Sequence, residues 1–272
     1  MTRAGLGRIA AVGLLAVAAA ASAQDEVPFV VTPDGVTLAM LEIAGAGERD
    51  HLVDLGSGDG RIVITAARRF GASGLGVEIV PELVQKSRVA ARAAGVADRA
   101  EFREQDLFRT DLSRATVVTM YLLPDVNLLL RPRLLALAPG TRIVSHDWDL
   151  GEWLPDRTVT VDVPDKAIGR DKFSRVHLWR VPARVGGLWC AAGARLDITQ
   201  RFQRFSATLH MSASDAPAAV FDGRIDGTAL VGEGLSAASL QLDGSALTVR
   251  RAGPSEPTGG RTFTRATRAS CP

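Results

Sequence analysis

Lysine is scarce in this chain of 272 residues: Lys86, Lys166 and Lys172 are the only three, and the remaining basic residues are arginines. With 32 basic residues against 30 acidic ones the net charge is +2, so the chain lacks the basic excess that marks a nucleic-acid binder. Cysteine is nearly absent. Cys190 and Cys271 are the only pair, an even count that suits either one disulfide in an oxidising compartment or two free thiols. Closing so long a loop would contribute roughly 4 kcal/mol on a chain-entropy argument. His51, His177 and His210 have no partners at metal-ligand spacing, so no metal site is expected. No Gly-Lys-Ser/Thr follows the glycine-rich stretch, which excludes a Walker-type phosphate loop.

The chain does have a distinctive start. Arg3 and Arg8 precede an apolar run from Ile9 to Ala20, and Ala21-Ser22-Ala23 is a small-x-small site before Gln24. These three parts predict a secretory signal peptide over residues 1–23 and an exported or periplasmic protein. The alternative is an uncleaved leader that holds the chain at a membrane, although the run is short and Ala-rich for a spanning helix. No paired arginines precede the run, so a signal for pre-folded export is not supported.

Hydrophobic residues make up 46% and charged residues 23%, the composition of a globular protein. Between His51 and Pro182 apolar runs of strand length alternate with helical patterns. His51–Leu55, Gly74–Ile79, Ala100–Arg103, Ala115–Tyr121 and Thr141–His146 read as strands. Arg61–Phe70, Pro81–Ala94 and Val126–Ala138 read as helices, and Thr32 before Pro33 reads as the start of another. That alternation predicts a parallel sheet covered on both faces. Arg157–Val163 and Ser174–Val181 follow without a helix between them and predict a closing antiparallel hairpin. After Pro182 the helical period disappears. Short strands and Asp222-Gly223, Asp226-Gly227 and Asp243-Gly244 turns predict a small all-β domain over 183–272, either a barrel or a sandwich.

The chemistry is concentrated in Asp54-Leu55-Gly56-Ser57-Gly58-Asp59-Gly60, placed where a strand ends and a helix begins. Glycines there permit a tight turn and close backbone approach to a ligand, while the helix start offers free N–H groups. A dinucleotide loop ends on a small residue, but Arg61 stands at that position here. Asp54 would repel a pyrophosphate and would suit a cationic amine.

This stretch resembles motif I of class I S-adenosylmethionine-dependent methyltransferases. Glu78, at the end of the second strand, matches the acid that this family uses to hold the ribose hydroxyls. Asp106, in Gln105-Asp106-Leu107, matches the residue that receives the adenine amino group. Val27-Pro28-Phe29-Val30-Val31-Thr32-Pro33, together with Val53 to Ile64, is similar to the small seven-strand protein-lysine methyltransferases acting on mitochondrial membrane proteins. The resemblance covers about Val27 to Pro155. It implies a Rossmann-like seven-stranded α/β sheet over 24–182 and S-adenosyl-L-methionine as cofactor. Its implied contacts are Asp54, Gly56, Ser57, Gly58, Gly60, Glu78 and Asp106, with Phe29 to Thr32 closing over the site. Tyr121, at the end of the fourth strand, is the candidate wall beside the methyl group. His146 and Asp147, ending the fifth strand, are candidates to orient a nucleophile or accept its proton.

The expected partner is a protein or small-molecule methyl acceptor, with membrane association through an uncleaved leader as a further expectation. Two rival functions are an exported binding module that keeps the fold without the reaction, and an NAD-type oxidoreductase. S-adenosylmethionine is made in the cytosol, so export and this cofactor pull in different directions.

Overall fold

The computed structural model describes residues 30–167, 170–212, 216–233, 238–251, 259–268 and 270–271. The leader over 1–23 and Phe29 lie outside the described residues. The chain runs α1 (Asp34–Ala44), β1 (His51–Leu55), α2 (Arg61–Phe70), β2 (Ser73–Glu78), α3 (Pro81–Ala93) and β3 (Ala100–Glu104). It continues with β4 (Val117–Met120), α4 (Pro124–Leu134), β5 (Arg142–His146), β6 (Arg157–Asp162) and β7 (Phe173–Arg180). In space the strands lie in the order β3-β2-β1-β4-β5-β7-β6. The first five pair in parallel, and β7 runs antiparallel to both β5 and β6. The order reverses between β1 and β4, which opens a crevice over their carboxyl ends, the place where sheets of this kind bind ligands.

Each face of the sheet has its own core. On one, Met40 and Leu41 of α1, Val63 and Ala66 of α2 and Val84 of α3 pack on Leu52, Val117 and Val144. On the other, Leu130 and Leu134 of α4 meet Val53, Met120, Ile143 and Trp179. Burying each large aliphatic side chain contributes about 2 kcal/mol, so the two faces together secure the strand ends that carry the loops.

Two local expectations are corrected. The first helix starts at Asp34 rather than Thr32, with Pro33 at the N-cap position, and the Thr32 hydroxyl lies 3.4 Å from His146 Nδ1. The fourth helix starts earlier than its hydrophobic pattern, at Pro124, because proline fits the first helical turn, where no intrahelical N–H bond is lost.

The remainder forms a closed barrel of β8 (Gly187–Ala191), β9 (Ala194–Arg201), β10 (Arg204–Met211), β11 (Pro217–Asp226), β12 (Ala229–Gly232), β13 (Ser239–Asp243), β14 (Ala246–Arg251) and β15 (Thr262–Arg265). Gly187-Leu188-Trp189 belongs to the first of these strands, and β15 pairs with β8 to close the ring. Trp189, Phe205, Phe221, Phe263, Leu196 and Leu240 fill the interior. Asp222-Gly223 is not a turn. Both residues lie inside β11, and a Cβ on Gly223 would fall 2.3 Å from the Val231 carbonyl and 2.6 Å from the Phe205 ring. Glycine is there because a neighbouring strand and an aromatic ring press against it. Cys190 and Cys271 form a disulfide that ties β8 to the end of the chain.

Candidate active site

The stretch from Gly56 to Gly60 links β1 to α2. Gly56, Gly58 and Gly60 have φ of 74°, 53° and 81°, left-handed values that strain other residues. A Cβ on Gly60 would also lie 2.7 Å from the Phe102 ring and from Ser87 Cβ, so that position is doubly restricted. The loop is fastened to β2, since the Gly56 and Ser57 amides donate to the Val77 carbonyl at 3.0 and 2.9 Å.

Glu78 ends β2 directly beside this loop. Its Oε2 accepts from the Gly58 amide at 3.0 Å, and its Oε1 accepts from the Ile79 and Val80 amides at 2.8 and 3.1 Å. The carboxylate is therefore aimed at the loop crest and held by its own turn. The Gln105 amide donates to the Glu78 carbonyl at 2.9 Å, which brings Asp106 in alongside. One Asp106 oxygen accepts from the Phe108 amide at 2.8 Å and caps a single 3-10 turn, Leu107–Arg109. Next to these acids, Ile79 and Phe108 expose 69% and 40% of their surfaces. Large apolar side chains left in the open beside hydrogen-bonding acids suit a flat heteroaromatic base with a polar edge.

Asp54 ends up almost sealed, only 2% exposed. Strand register places it opposite Thr119, whose hydroxyl donates to Asp54 Oδ1 at 2.7 Å, and opposite Gly76 on the other side. Burial pushes its carboxyl up to about 7, the Thr119 hydrogen bond works against that shift, and the nearby Glu78 and Asp59 charges add to it. Among the described residues no cation pairs with Asp54. A bound sulfonium nucleoside carrying an amino group would supply one.

Arg61 has a different employment from the small residue of a dinucleotide loop. It bonds Asp59 through Nε at 3.0 Å and Nη2 at 2.7 Å, and donates through Nη1 to the Thr32 carbonyl at 3.0 Å. Burial would raise the Asp59 carboxyl, but the Arg61 guanidinium outweighs that and holds it below the usual range. Arg61 thus ties the segment before α1 to the glycine loop.

On the other side of the switch point, Tyr121 stacks on His146 with ring centroids 3.8 Å apart. His146 Nε2 lies 2.9 Å from Ser174 Oγ, and Nδ1 faces Thr32, so both ring nitrogens have protein partners. Burial depresses its pKa to about 4, with Asp147 opposing and Lys166 assisting, so the ring is neutral at pH 7. Asp147 has φ of 62° and pairs with Lys166 Nζ at 2.8 Å. Burial would raise its carboxyl, but hydrogen bonds from Lys166 and the Arg175 amide bring it below the usual range.

The structure therefore gathers Asp54, Gly56, Gly58, Gly60, Glu78 and Asp106 over the β1–β2–β3 edge. Thr32, Tyr121, His146 and Asp147 meet at the adjoining edge. The Ser57 amide is used by the Val77 carbonyl, and its buried hydroxyl lies beneath the loop near Gly76 with no protein partner among the described residues. His146 is also better placed to hold Tyr121 and Thr32 than to receive a proton. Thr119, Ile79, Phe108, Ser174 and Lys166 escaped the sequence reading. Thr119 is visible only through register, whereas Ile79 follows a motif acid directly and carried a readable signal.

The chain is similar to known methyltransferases. A family profile described as the ANTKMT methyltransferase domain matches residues 54–157. A protein-lysine N-methyltransferase of Saccharolobus islandicus (strain REY15A) is 44% identical over 138 residues, which is 50% of this chain and 86% of that relative. An adenine nucleotide translocase lysine N-methyltransferase of Mus musculus is 37% identical over 110 residues, covering 40% of this chain and 48% of its own length. Among solved structures, an RNA methyltransferase from Salinibacter ruber in complex with S-adenosyl-L-homocysteine superimposes with a TM-score of 0.52. It is 54% identical and covers 57% of this chain and 96% of its own.

Proposed function

Because this chain belongs to the protein-lysine N-methyltransferase family that carries the ANTKMT methyltransferase domain, we propose that its S-adenosylmethionine-dependent methyl transfer is to the amine of a protein lysine. The observation that carries the reading is the buried, cation-seeking Asp54 set between the glycine turn and the Glu78 carboxylate. An NAD-type function loses its basis, because Arg61 braces the loop where close helix–strand packing would need a small residue.

S-adenosylmethionine brings a methyl group already activated on a sulfonium, so the protein has mainly to position donor and acceptor and to exclude water. Glu78 and Asp106 would hold the sugar and base, Ile79 and Phe108 would cover the base, and Asp54 would face the cationic end. Tyr121 forms a wall whose hydroxyl burial, and then Asp147, keeps protonated. His146 stays uncharged and adds no repulsion toward a sulfonium or an incoming ammonium. An acceptor lysine must be neutral to react, and desolvation against Tyr121 and its neighbour Leu122 favours that form.

The Salinibacter ruber relative is described as acting on RNA, which supplies a second reading. Against it, the chain has a net charge of only +2, and exposed Asp125 and Asp149 stand on the acceptor side, where phosphates would be repelled. The test is titration of the intact chain with S-adenosylhomocysteine, then transfer of labelled methyl to protein and RNA acceptors in parallel. No binding removes the enzyme reading, and label on RNA alone removes lysine.

For location, the leader and the Cys190–Cys271 disulfide support an oxidising compartment, with a membrane-held chain as the alternative. Mass spectrometry of the mature N-terminus decides: a start at Gln24 means export, and Met1 retained means anchoring.

A further inference from the structure

The barrel reaches the acceptor side of the sheet through its β9–β10 turn, Phe202-Gln203. Phe202 holds a φ of 53°, which a bulky residue rarely adopts unless its surroundings demand it. Its ring stacks on the buried Trp153 at 6.3 Å and lies 5.9 Å from the Arg131 guanidinium of α4. Gln203 donates to the Leu154 carbonyl at 2.7 Å, and Arg224 of β11 pairs with Asp156. From the other side, Arg131 donates to the Leu150 carbonyl at 3.0 Å and Asn127 to the Trp148 carbonyl at 3.3 Å. The segment from Asp147 to Asp156, which leaves the carboxyl end of β5, is thus gripped by both α4 and the barrel.

So firm a grip is unexpected for a segment whose Leu154 side chain is 68% exposed and whose Trp148 is also open to solvent. Leu128 and Leu129 of α4 are exposed too, and Leu128 approaches Gly151 of the same segment. Held hydrophobics facing water mark a binding surface. The exposed carboxylates Asp125 and Asp149 stand among them, while Glu152 is taken up by Arg201 of the barrel at 3.2 Å, so the surface complements apolar side chains accompanied by positive charge.

We propose that Phe202 is a positioning residue for acceptor binding, through which the barrel holds Trp148 and Leu154 beside Leu128 and Leu129 as a ledge for an apolar, lysine-bearing protein segment. The inference rests on the lysine-acceptor reading above and adds a task for the barrel, which lies outside the matched 54–157 segment.

The experiment uses the full chain loaded with S-adenosylhomocysteine and a synthetic amphipathic helix of leucine and lysine, with oligolysine as the apolar-free control. Phe202→Gly keeps the left-handed turn and removes the ring, Phe202→Tyr restores the ring, and Leu154→Ser alters the ledge alone. Phe202→Gly and Leu154→Ser should each weaken binding of the amphipathic peptide about tenfold, while Phe202→Tyr stays within about twofold of the parent. Affinity for S-adenosylhomocysteine should be unchanged in all three, and oligolysine should bind more weakly than the amphipathic peptide. Equal peptide affinity in the parent and Phe202→Gly, a parallel loss of cofactor affinity, or no peptide binding by the parent overturns the inference. A peptide that binds the ledge but is not methylated when the donor is added sinks the lysine reading and leaves the ledge standing.

Discussion

Replacing Asp54 with Asn should stabilise the ligand-free protein while weakening its hold on the cofactor. The buried carboxyl of Asp54 is raised from 3.8 to about 7, chiefly by burial. At pH 8 the folded state must keep ionised a group that the unfolded chain ionises freely, a penalty with a ceiling of about 4 kcal/mol. Asn can still accept the Thr119 hydroxyl but brings an amide that also needs a partner, so a realised gain of about 1–3 kcal/mol is expected. The sign follows from the raised pKa: between 3.8 and about 7 the folded state binds the proton more tightly, so this contribution to stability is lost as pH rises. His146 works the other way, because its pKa falls from 6.5 to about 4 and stability is lost as pH drops through that window. From pH 6.5 to 4 the two oppose each other, and the parent should show a shallow profile. The Asn variant should lose stability on acidification over the same range, by at most about 3 kcal/mol. Denaturant unfolding at pH 8, 6 and 4, followed by calorimetry with S-adenosylmethionine in buffers of different ionisation enthalpy, reads both effects. Cofactor binding by the parent should release a proton near pH 7, and binding by the variant should not. An Asn variant no more stable at pH 8, with the parent's pH profile and cofactor affinity, would refute the placement of a cation beside Asp54.

Three other outcomes follow from the same geometry. Glu78→Gln keeps the shape but cannot accept from both sides of its turn, and should weaken S-adenosylhomocysteine binding by about 1–3 kcal/mol, measured by calorimetry. Gly60→Ala combines left-handed strain with the 2.7 Å approach to Phe102 and Ser87, and a loss of about 2–4 kcal/mol should appear in thermal unfolding. Reducing Cys190–Cys271 should lower barrel stability by about 4 kcal/mol with cofactor affinity intact, which scanning calorimetry with and without reductant would show.

The sheet was legible because its residues obey local rules. Short apolar runs alternated with amphipathic stretches, and the glycine turn lay between β1 and α2, where its spacing predicts it. Motif acids at Asp54, Glu78 and Asp106 are located through the resemblance to the methyltransferase family, and they stand at or just past the ends of β1, β2 and β3. What stayed hidden depends on partners distant in sequence. Thr119 meets Asp54 only through the β1–β4 register, and Ser174 meets His146 only because β7 returns antiparallel beside β5. Asp222-Gly223 misled because the dipeptide is a strong turn signal, yet Phe205 and the β12 backbone require a glycine inside a strand. The choice between barrel and sandwich turned on whether β15 pairs with β8, a contact between the two ends of the domain that no local pattern encodes.

Arg61 joins the glycine loop to the Thr32 carbonyl, and Thr32 in turn faces His146, so the segment entering the domain is fastened to both sides of the crevice. Arg61→Ala should free the entering segment while leaving Asp54 and Glu78 in place. Loss of S-adenosylhomocysteine affinity by about tenfold in that variant would show that the segment closes over the cofactor. Unchanged affinity would leave Arg61 as a brace for Asp59 alone.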